Sequence, residues 1–287
     1  DGGLPRLLGA HRVLWTIMEP PRGSPAPRAA GPTPRPHRGA AFHDLRPIPS
    51  FWGLAMGASL VAFVGYGLIS FQAPFLQREH GLDVRDAALQ LGAPLSLLAA
   101  AGTFLGGYLT ERLTRRIPTA MAWVPAIGLL LSVPAYVGAF FIDDLGVVFV
   151  LWGIAAVLHY SYLGAQYNIG QGVVSNRSRA TAIAVLLILV SLIGNGIGPY
   201  FVGFMSDFFL SRELAAAAVG ADLTPALCNA RDAVLSDVQV TVCDAASSAG
   251  LKKAMSLTVC WFILAAACFM ACARTLKRDF VAELGGD

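Results

Sequence analysis

The sequence predicts an all-α membrane protein with six transmembrane helices, and three observations favour this fold class. Of its 287 residues, 55% are hydrophobic and only 14% are charged, whereas soluble domains contain about 25% charged residues. The charges are clustered, so that six long segments contain no Asp, Glu, Lys or Arg. Each segment has about the ~20 residues that a helix needs to cross the hydrocarbon. Each is also apolar throughout, without the alternation of a barrel strand.

The six predicted spans lie within residues 51–278. Their approximate bounds are 52–75, 87–109, 117–142, 145–171, 180–206 and 254–273. Nine of the 17 prolines and many arginines lie between residues 20 and 49, a composition that predicts that residues 1–50 form an extended linker instead of a folded domain. Residues 207–253 are predicted to form a long outer loop, and residues 279–287 a short cytoplasmic tail.

The distribution of Arg and Lys predicts the orientation of the spans, because these residues concentrate on the cytoplasmic side. The connections after the second and fourth spans and the C-terminal end are basic. In the connections on the other side, 77–86, 143–144 and 207–253, acids outnumber bases. We therefore expect both termini in the cytoplasm and the spans in the inner (cell) membrane. The basic residues form no patch interleaved with aromatics, which argues against a nucleic-acid partner.

Several motifs resemble those of one transporter family. "GYLTERLTRR" (107–116) closely resembles the motif between the second and third helices of each half of the major facilitator superfamily, with Glu111 for the usual Asp and Thr114 for the usual Gly. The segment 179–207, "RATAIAVLLILVSLIGNGIGPYFVGFMSD", is similar to the penultimate helix of the Spinster-like branch. "EPPRG" (19–23) resembles the start of the linker between the halves.

The resemblance implies that the six spans correspond to helices seven to twelve of a twelve-helix transporter, with the first six helices absent. Residues 1–50 would then be a remnant of the linker between the halves. In the superfamily, charges of this motif hold the cytoplasmic side closed in one state. The latch residues that this implies are Gly107, Glu111, Arg112, Arg115, Arg116 and Arg179. Gly102 and Gly106 form a small-xxx-small pair, which allows a neighbouring helix to approach closely.

Polar side chains inside the spans are candidates for a solute cavity, because placing them in lipid costs free energy. His159, Tyr162 and Gln166 fall on one stripe of the fourth span at 100° per residue. The predicted cavity residues are Tyr66, His159, Tyr162, Gln166, Ser191 and Asn195. His159 has two interpretations. With an unperturbed pKa of about 6.5 it could carry a coupling proton, or it could be a neutral histidine hydrogen-bonded to a neighbouring helix.

Two further features concern the helix backbone and the outer loop. Gly198, Pro199 and Gly203 weaken the regularity of the fifth span, which predicts a bend there. Cys228 and Cys243 both lie in the outer loop, on the side expected to be oxidising, which favours a disulfide. The spacing of Cys and His residues matches no metal site, and no cofactor is expected.

These features favour a secondary transporter half that moves a small organic or amphiphilic solute by alternating access. Its expected partners are the lipid bilayer, the solute, protons in the case of coupling, and either a missing N-terminal half or a second copy in a homodimer. One alternative is a truncated remnant or membrane assembly subunit that transports nothing. A remote alternative is an intramembrane protease, but His159 is not accompanied by a Gly-x-Ser-Gly nucleophile sequence. We therefore expect no enzyme activity.

Overall fold

The computed structural model describes residues 45–87, 89, 92–175, 178–217, 223–230 and 235–280. Most of the predicted linker and the predicted tail lie outside these residues. The described part of the chain forms helices and contains no strand. Its helices are α1 Pro49–His80, α2 Val84–Ala87, α3 Ala93–Thr114, α4 Ala120–Phe140, α5 Leu145–Tyr160, α6 Tyr162–Gly172, α7 Arg179–Val190, α8 Gly198–Ala216, α9 Pro225–Asn229 and α10 Asp237–Asp279.

Six helical stretches in the described chain are long and apolar enough to cross a membrane. They are α1, α3, α4, α5 with α6, α7 with α8, and α10. The predicted fold class, an all-α membrane protein with six transmembrane helices, is confirmed. The helices extend beyond the predicted apolar spans, since α3 continues through the charged residues to Thr114 and α10 already begins at Asp237.

The long helices α1 and α10 have well-defined ends. Gly81 follows α1 with a left-handed φ of 63°, and its N–H donates to the carbonyl of Gln77 at 3.1 Å. A glycine adopts this conformation without the steric cost that a Cβ would impose. At the start of α10, Ser236 and Gln239 form a reciprocal capping box. Both ends are therefore fixed by local sequence.

Helices α1 and α10 pack against each other at the centre of the bundle, and α10 also contacts α4 and α8. Phe262 and Phe269 of α10 are fully buried. Phe140 of α4 makes edge-on ring contacts with Phe75 of α1 and Trp152 of α5, with centroids 5.5 and 5.6 Å apart. A further ring contact between Phe262 and Tyr136 of α4, with centroids 6.2 Å apart, adds α10, so that ring contacts join four of the six spans into one core.

Helix α3 packs closely on the fourth span through two glycines. A Cβ on Gly102 would meet the backbone of Val157, and one on Gly106 would meet the backbone of Ser161. A Cβ on Gly107, the next residue, would have no described atom of another helix within 4 Å. The predicted close approach at Gly102 and Gly106 is therefore present, and α5–α6 is the helix that makes it.

Beyond the apolar spans, α8, α9 and α10 form a small second core. Its buried residues are Leu210, Leu214, Leu223, Cys243 and Ala246. Cys228 of α9 and Cys243 of α10 form a disulfide, with Cα atoms 5.4 Å apart. Much of 207–253, the predicted outer loop, is thus helical, because its apolar residues bury one another outside the spans.

Two ion pairs tie α10 to its neighbours near this second core. Lys252 Nζ lies 2.5 Å from Glu79 Oε1 at the end of α1, and Ser248 also donates to this carboxylate. Lys253 pairs with Glu213 of α8. The side chains of Glu79 and Lys252 are mostly buried, so this pair is less screened by water than an exposed one.

Candidate solute site

A cavity of about 300 Å³ lies between α1, the fourth span and α7. Five of the six predicted cavity residues line it, and Tyr160 and Tyr167 add two more tyrosines to its wall. Those five are Tyr66, His159, Tyr162, Gln166 and Ser191. The three side chains of the predicted stripe on the fourth span therefore line one cavity, together with residues of two other helices.

Asn195 lies elsewhere. It lines a neighbouring shallow groove on the exposed side of the fifth span, together with Ser191. The segment Ser191–Ile197 between α7 and α8 is π-helical. Its i→i+5 hydrogen bonds widen the turn and change the angular register of the residues that follow. The prediction that Asn195 lines the same cavity as Ser191 assumed a regular α-helix, in which residues four apart lie on one face.

His159 is buried among aromatic rings, with 3% of its surface exposed. Its Nδ1 and the hydroxyl of Tyr136 on α4 are hydrogen-bonded at 3.3 Å. Its ring centroid lies 4.7 Å from that of Phe262 on α10. Gly65 of α1 faces the Cε1–Nε2 edge of the imidazole, where a Cβ would approach Cε1 to 3.2 Å. Three neighbouring helices, α1, α4 and α10, therefore fix the position of this ring.

His159 also lies between two cavities. The second cavity, of about 330 Å³, is enclosed by α1, α3, α4 and α5. Gly65, Ile69, His159 and Tyr160 contribute to the walls of both. The ring of His159 thus bonds a neighbouring helix, as one of the two interpretations predicted, and also lines open space, while proton coupling stays a prediction. Tyr136 was not predicted as a site residue, although it is the only Tyr in the third span.

Gln166 is the polar side chain of the cavity that lacks a complete set of partners. It is 1% exposed, and its Oε1 has no hydrogen-bond partner among the described residues. Buried polar atoms are nearly always hydrogen-bonded, so such an atom calls for a specific explanation. A bound solute that donates to this oxygen would supply one.

The predicted latch residues lie mostly on α3 and after it. Glu111 forms an exposed ion pair with Arg115, one turn further along the same helix, at 2.9 Å. Arg112 donates to the hydroxyl of Tyr108 at 3.0 Å. In the described part of the chain, the partners of Glu111 and Arg112 therefore lie on α3 or directly after it. Arg179, near the same end of the bundle, donates to the carbonyl of Gln171 at 3.2 Å.

The predicted bend residues follow the π-helical segment directly. Pro199 occupies the first turn of α8, where a helix does not need its missing N–H. Gly198 lies against the backbone of Phe63 on α1, where a Cβ would clash. Gly203, one turn later, faces the ring of Phe71 at ordinary contact distance. The irregular segment therefore packs tightly on the helix that carries Tyr66.

Charged residues are absent from the cavity wall as far as the structure describes it. The described residues also contain no group of three or more His, Cys, Asp or Glu side chains that could hold a metal ion. Six helices that can span a membrane, three of which line a cavity with polar side chains and no charge, point to an integral membrane transporter. The comparisons with known proteins agree with this class.

The sequence profile of the Major Facilitator Superfamily matches residues 7–220. The chain belongs to this superfamily, whose members are transporters and not enzymes. It is 30% identical over 172 residues to an MFS-type efflux pump of Mycolicibacterium smegmatis, covering 60% of this chain and 40% of that protein. It is 27% identical over 215 residues to Protein spinster homolog 3 of Danio rerio, covering 70% of this chain and 43% of that protein.

The structural comparison points to the same branch. A crystal structure of a bacterial homolog to the human lysosomal transporter Spinster, inward-facing and unoccupied, matches with a TM-score of 0.78 and 45% identity. The match covers 98% of this chain and 59% of that one. The inward-facing and occupied form of such a homolog matches with a TM-score of 0.75 and 44% identity. The predicted resemblance to the Spinster-like branch is confirmed, and the chain spans less than half the length of the curated relatives named above.

Proposed function

We propose that this chain is the C-terminal half of a secondary transporter that moves a small organic or amphiphilic solute by alternating access. The observation that carries the proposal is the cavity formed by α1, α5–α6 and α7, which gathers intramembrane tyrosines, His159 and Gln166. Polar groups within a span are rarely retained on a surface that faces lipid. A wall of this kind, facing a matching half, would form one side of a solute pathway near the bilayer midplane.

The exposed surfaces of α3 and of the fifth span favour a partner half. Both helices leave large apolar side chains uncovered, including Phe104 of α3 and Tyr200 and Phe204 of α8. The chain spans 40% and 43% of the two curated relatives named above. A first half of six helices, or a second copy of this chain, would cover these faces and close the cavity. A remnant or assembly subunit that transports nothing is the second candidate, and solute binding distinguishes it from a working transporter half.

We further propose that the α3–α4 connection and both termini face the cytoplasm, in the inner (cell) membrane. The distribution of arginine supports this orientation. The Cys228–Cys243 disulfide supports it independently, because it lies beyond the opposite ends of the spans and disulfides persist on the oxidising side. Cysteine labelling of Thr114→Cys and Ser248→Cys variants in intact cells tests the orientation. Labelling of residue 114 by an impermeant reagent would show that the α3–α4 connection faces outward and would contradict the proposed orientation.

Binding of solutes to the purified chain tests the proposed function. A panel of organic and amphiphilic solutes is screened for thermal stabilisation. Any hit is repeated with Tyr66→Ala, which opens the cavity wall, and with Tyr200→Ala, which removes an equally large ring outside it. A working site predicts that stabilisation is lost in the first variant and kept in the second. Indifference of the wild-type chain to the whole panel favours the remnant.

Transport itself is tested in the twelve-helix context. A labelled hit is followed by counterflow in liposomes that contain this half joined to six preceding helices. Arg112→Ala is expected to slow counterflow without changing insertion, because it removes a latch charge. Lys277→Ala removes an exposed charge at the same end of the bundle and should leave counterflow unchanged. Wild-type counterflow by a correctly inserted Arg112→Ala protein would remove Arg112 from the latch.

A further inference from the structure

The oxygen Gln166 Oε1 indicates what kind of group the cavity binds. Helix α6 carries Gln166 into the wall shared with Tyr66 and Tyr162. The oxygen is buried, and no described group donates to it. An unpaired buried acceptor is costly, and the cost disappears when a donor reaches it. The cavity is therefore best matched by a group with an O–H or N–H.

The absence of charge among the described lining residues restricts that group further. The wall consists of tyrosine side chains, the His159 ring, the Ser191 hydroxyl, the Gln166 amide and aliphatic side chains. A charged group on the ligand would lose its hydration here without meeting an opposite charge. The group that contacts this wall should therefore be neutral.

The aromatic rings define where carbon packs. The His159 and Tyr160 rings are stacked with centroids 4.6 Å apart, and the Tyr162 ring lies nearly parallel to His159 at 6.0 Å. Such faces bind apolar carbon next to a polar atom. The cavity volume of about 300 Å³ is at the lower end of the ~300–1,000 Å³ found for ligand pockets. It accommodates one portion of a solute.

We infer that the portion of the solute held by this half is an uncharged hydroxyl or amide group, attached to apolar carbon, that donates a hydrogen bond to Gln166 Oε1. The inference rests on the proposed function, since it assumes that the cavity is a solute site. It concerns which chemistry the site recognises, and binding and transport can be measured separately.

Four probes with the same six-carbon chain test the inference. They are 1-hexanol, 1-methoxyhexane, hexylammonium and heptanoate, which present a neutral donor, a neutral acceptor, a cation and an anion. Binding to the 287-residue chain in phospholipid nanodiscs is measured by saturation-transfer NMR, with empty nanodiscs subtracted. We expect 1-hexanol to bind the wild-type chain about fivefold or more tightly than 1-methoxyhexane, and the two ions to bind more weakly than 1-hexanol.

Variants of one helix identify the atom responsible. Gln166→Leu has a similar volume and lacks the acceptor, so the preference for 1-hexanol over 1-methoxyhexane should fall to about one. Gln171→Leu changes an exposed glutamine of the same helix outside the cavity and should keep the preference. Gln166→Glu supplies a negative charge and should make hexylammonium the tightest of the four probes.

Several results would overturn the inference. They are equal binding of 1-hexanol and 1-methoxyhexane, tightest binding of either ion to the wild-type chain, a preference that survives Gln166→Leu, or binding of none of the probes. Failure of the proposed function looks different: the probes bind with the expected order, but no solute crosses the bilayer in the twelve-helix context. Transport that is insensitive to Gln166→Leu would leave the proposed function standing and remove this inference.

Discussion

Replacing Gly106 by alanine should destabilise the bundle, whereas the same change at Gly107 should not. A Cβ at position 106 would meet the Cα, carbonyl oxygen and Cβ of Ser161, and two of these three are backbone atoms that cannot rotate away. At position 107 the Cβ would meet no atom of another helix among the described residues. The two glycines are adjacent in sequence and lie on the same helix, so they form a matched pair.

The expected magnitude combines two opposing effects. Alanine gains about 1 kcal/mol over glycine in a helix interior, and this gain is common to both positions. Overpacking against a fixed neighbour costs about 1–3 kcal/mol, and this cost applies only at Gly106. The difference between the variants should therefore be about 1–3 kcal/mol. At about 2–4 °C per kcal/mol for chains of this size, the melting temperatures should differ by about 2–12 °C.

The measurement is thermal unfolding of the purified chain, followed by tryptophan fluorescence, with Trp152 on α5 reporting from the core. Size-exclusion profiles before heating establish that both variants are folded and equally monodisperse. Gly106→Ala should melt below the wild type or near it, and Gly107→Ala at or above it. Equal melting temperatures, or a higher one for Gly106→Ala, would show that α3 does not pack on the fourth span as described.

Three other perturbations test separate contacts. Tyr136→Phe removes the hydroxyl that bonds the buried histidine, and loss of about 1 kcal/mol should lower the melting temperature by about 2–4 °C; no change would mean that the bond contributes nothing. Glu79→Gln and Lys252→Met, alone and combined, should show a coupling of about 1 kcal/mol or more in a double-mutant cycle, and additive effects would refute the ion pair. Reduction of the Cys228–Cys243 disulfide opens a loop of 15 residues, which should cost about 3 kcal/mol, and identical melting with and without reductant would show that the bond is not formed.

Much of the candidate site could be predicted because it depends on periodicity within single helices. The stripe of His159, Tyr162 and Gln166 follows from 100° per residue along the fourth span, and all three line the cavity. The close-packing glycines Gly102 and Gly106 also follow from their spacing, since a four-residue interval returns to the same face. The prediction grouped Asn195 with these residues, whereas the structure places it in the neighbouring groove, after a π-helical segment that changes the register.

Contacts between helices could not be read from the sequence in the same way. Tyr136 and His159 are 23 positions apart, and Glu79 and Lys252 are 173 positions apart. Nothing in the local pattern of either partner identifies the other. The sequence also indicated that α3 approaches some neighbour closely without indicating which one.

The sequence by itself determined the number and type of the spans and the resemblance to a transporter half, because the absence of charge over about 20 residues leaves the backbone few options in lipid. Only the tertiary structure decided which polar groups share the cavity, which ring holds His159 in place and that Gln166 Oε1 is left unpaired. These properties depend on the distances between side chains of different helices. Composition and periodicity act along one helix, whereas the environment of a buried atom is set by all the helices that surround it.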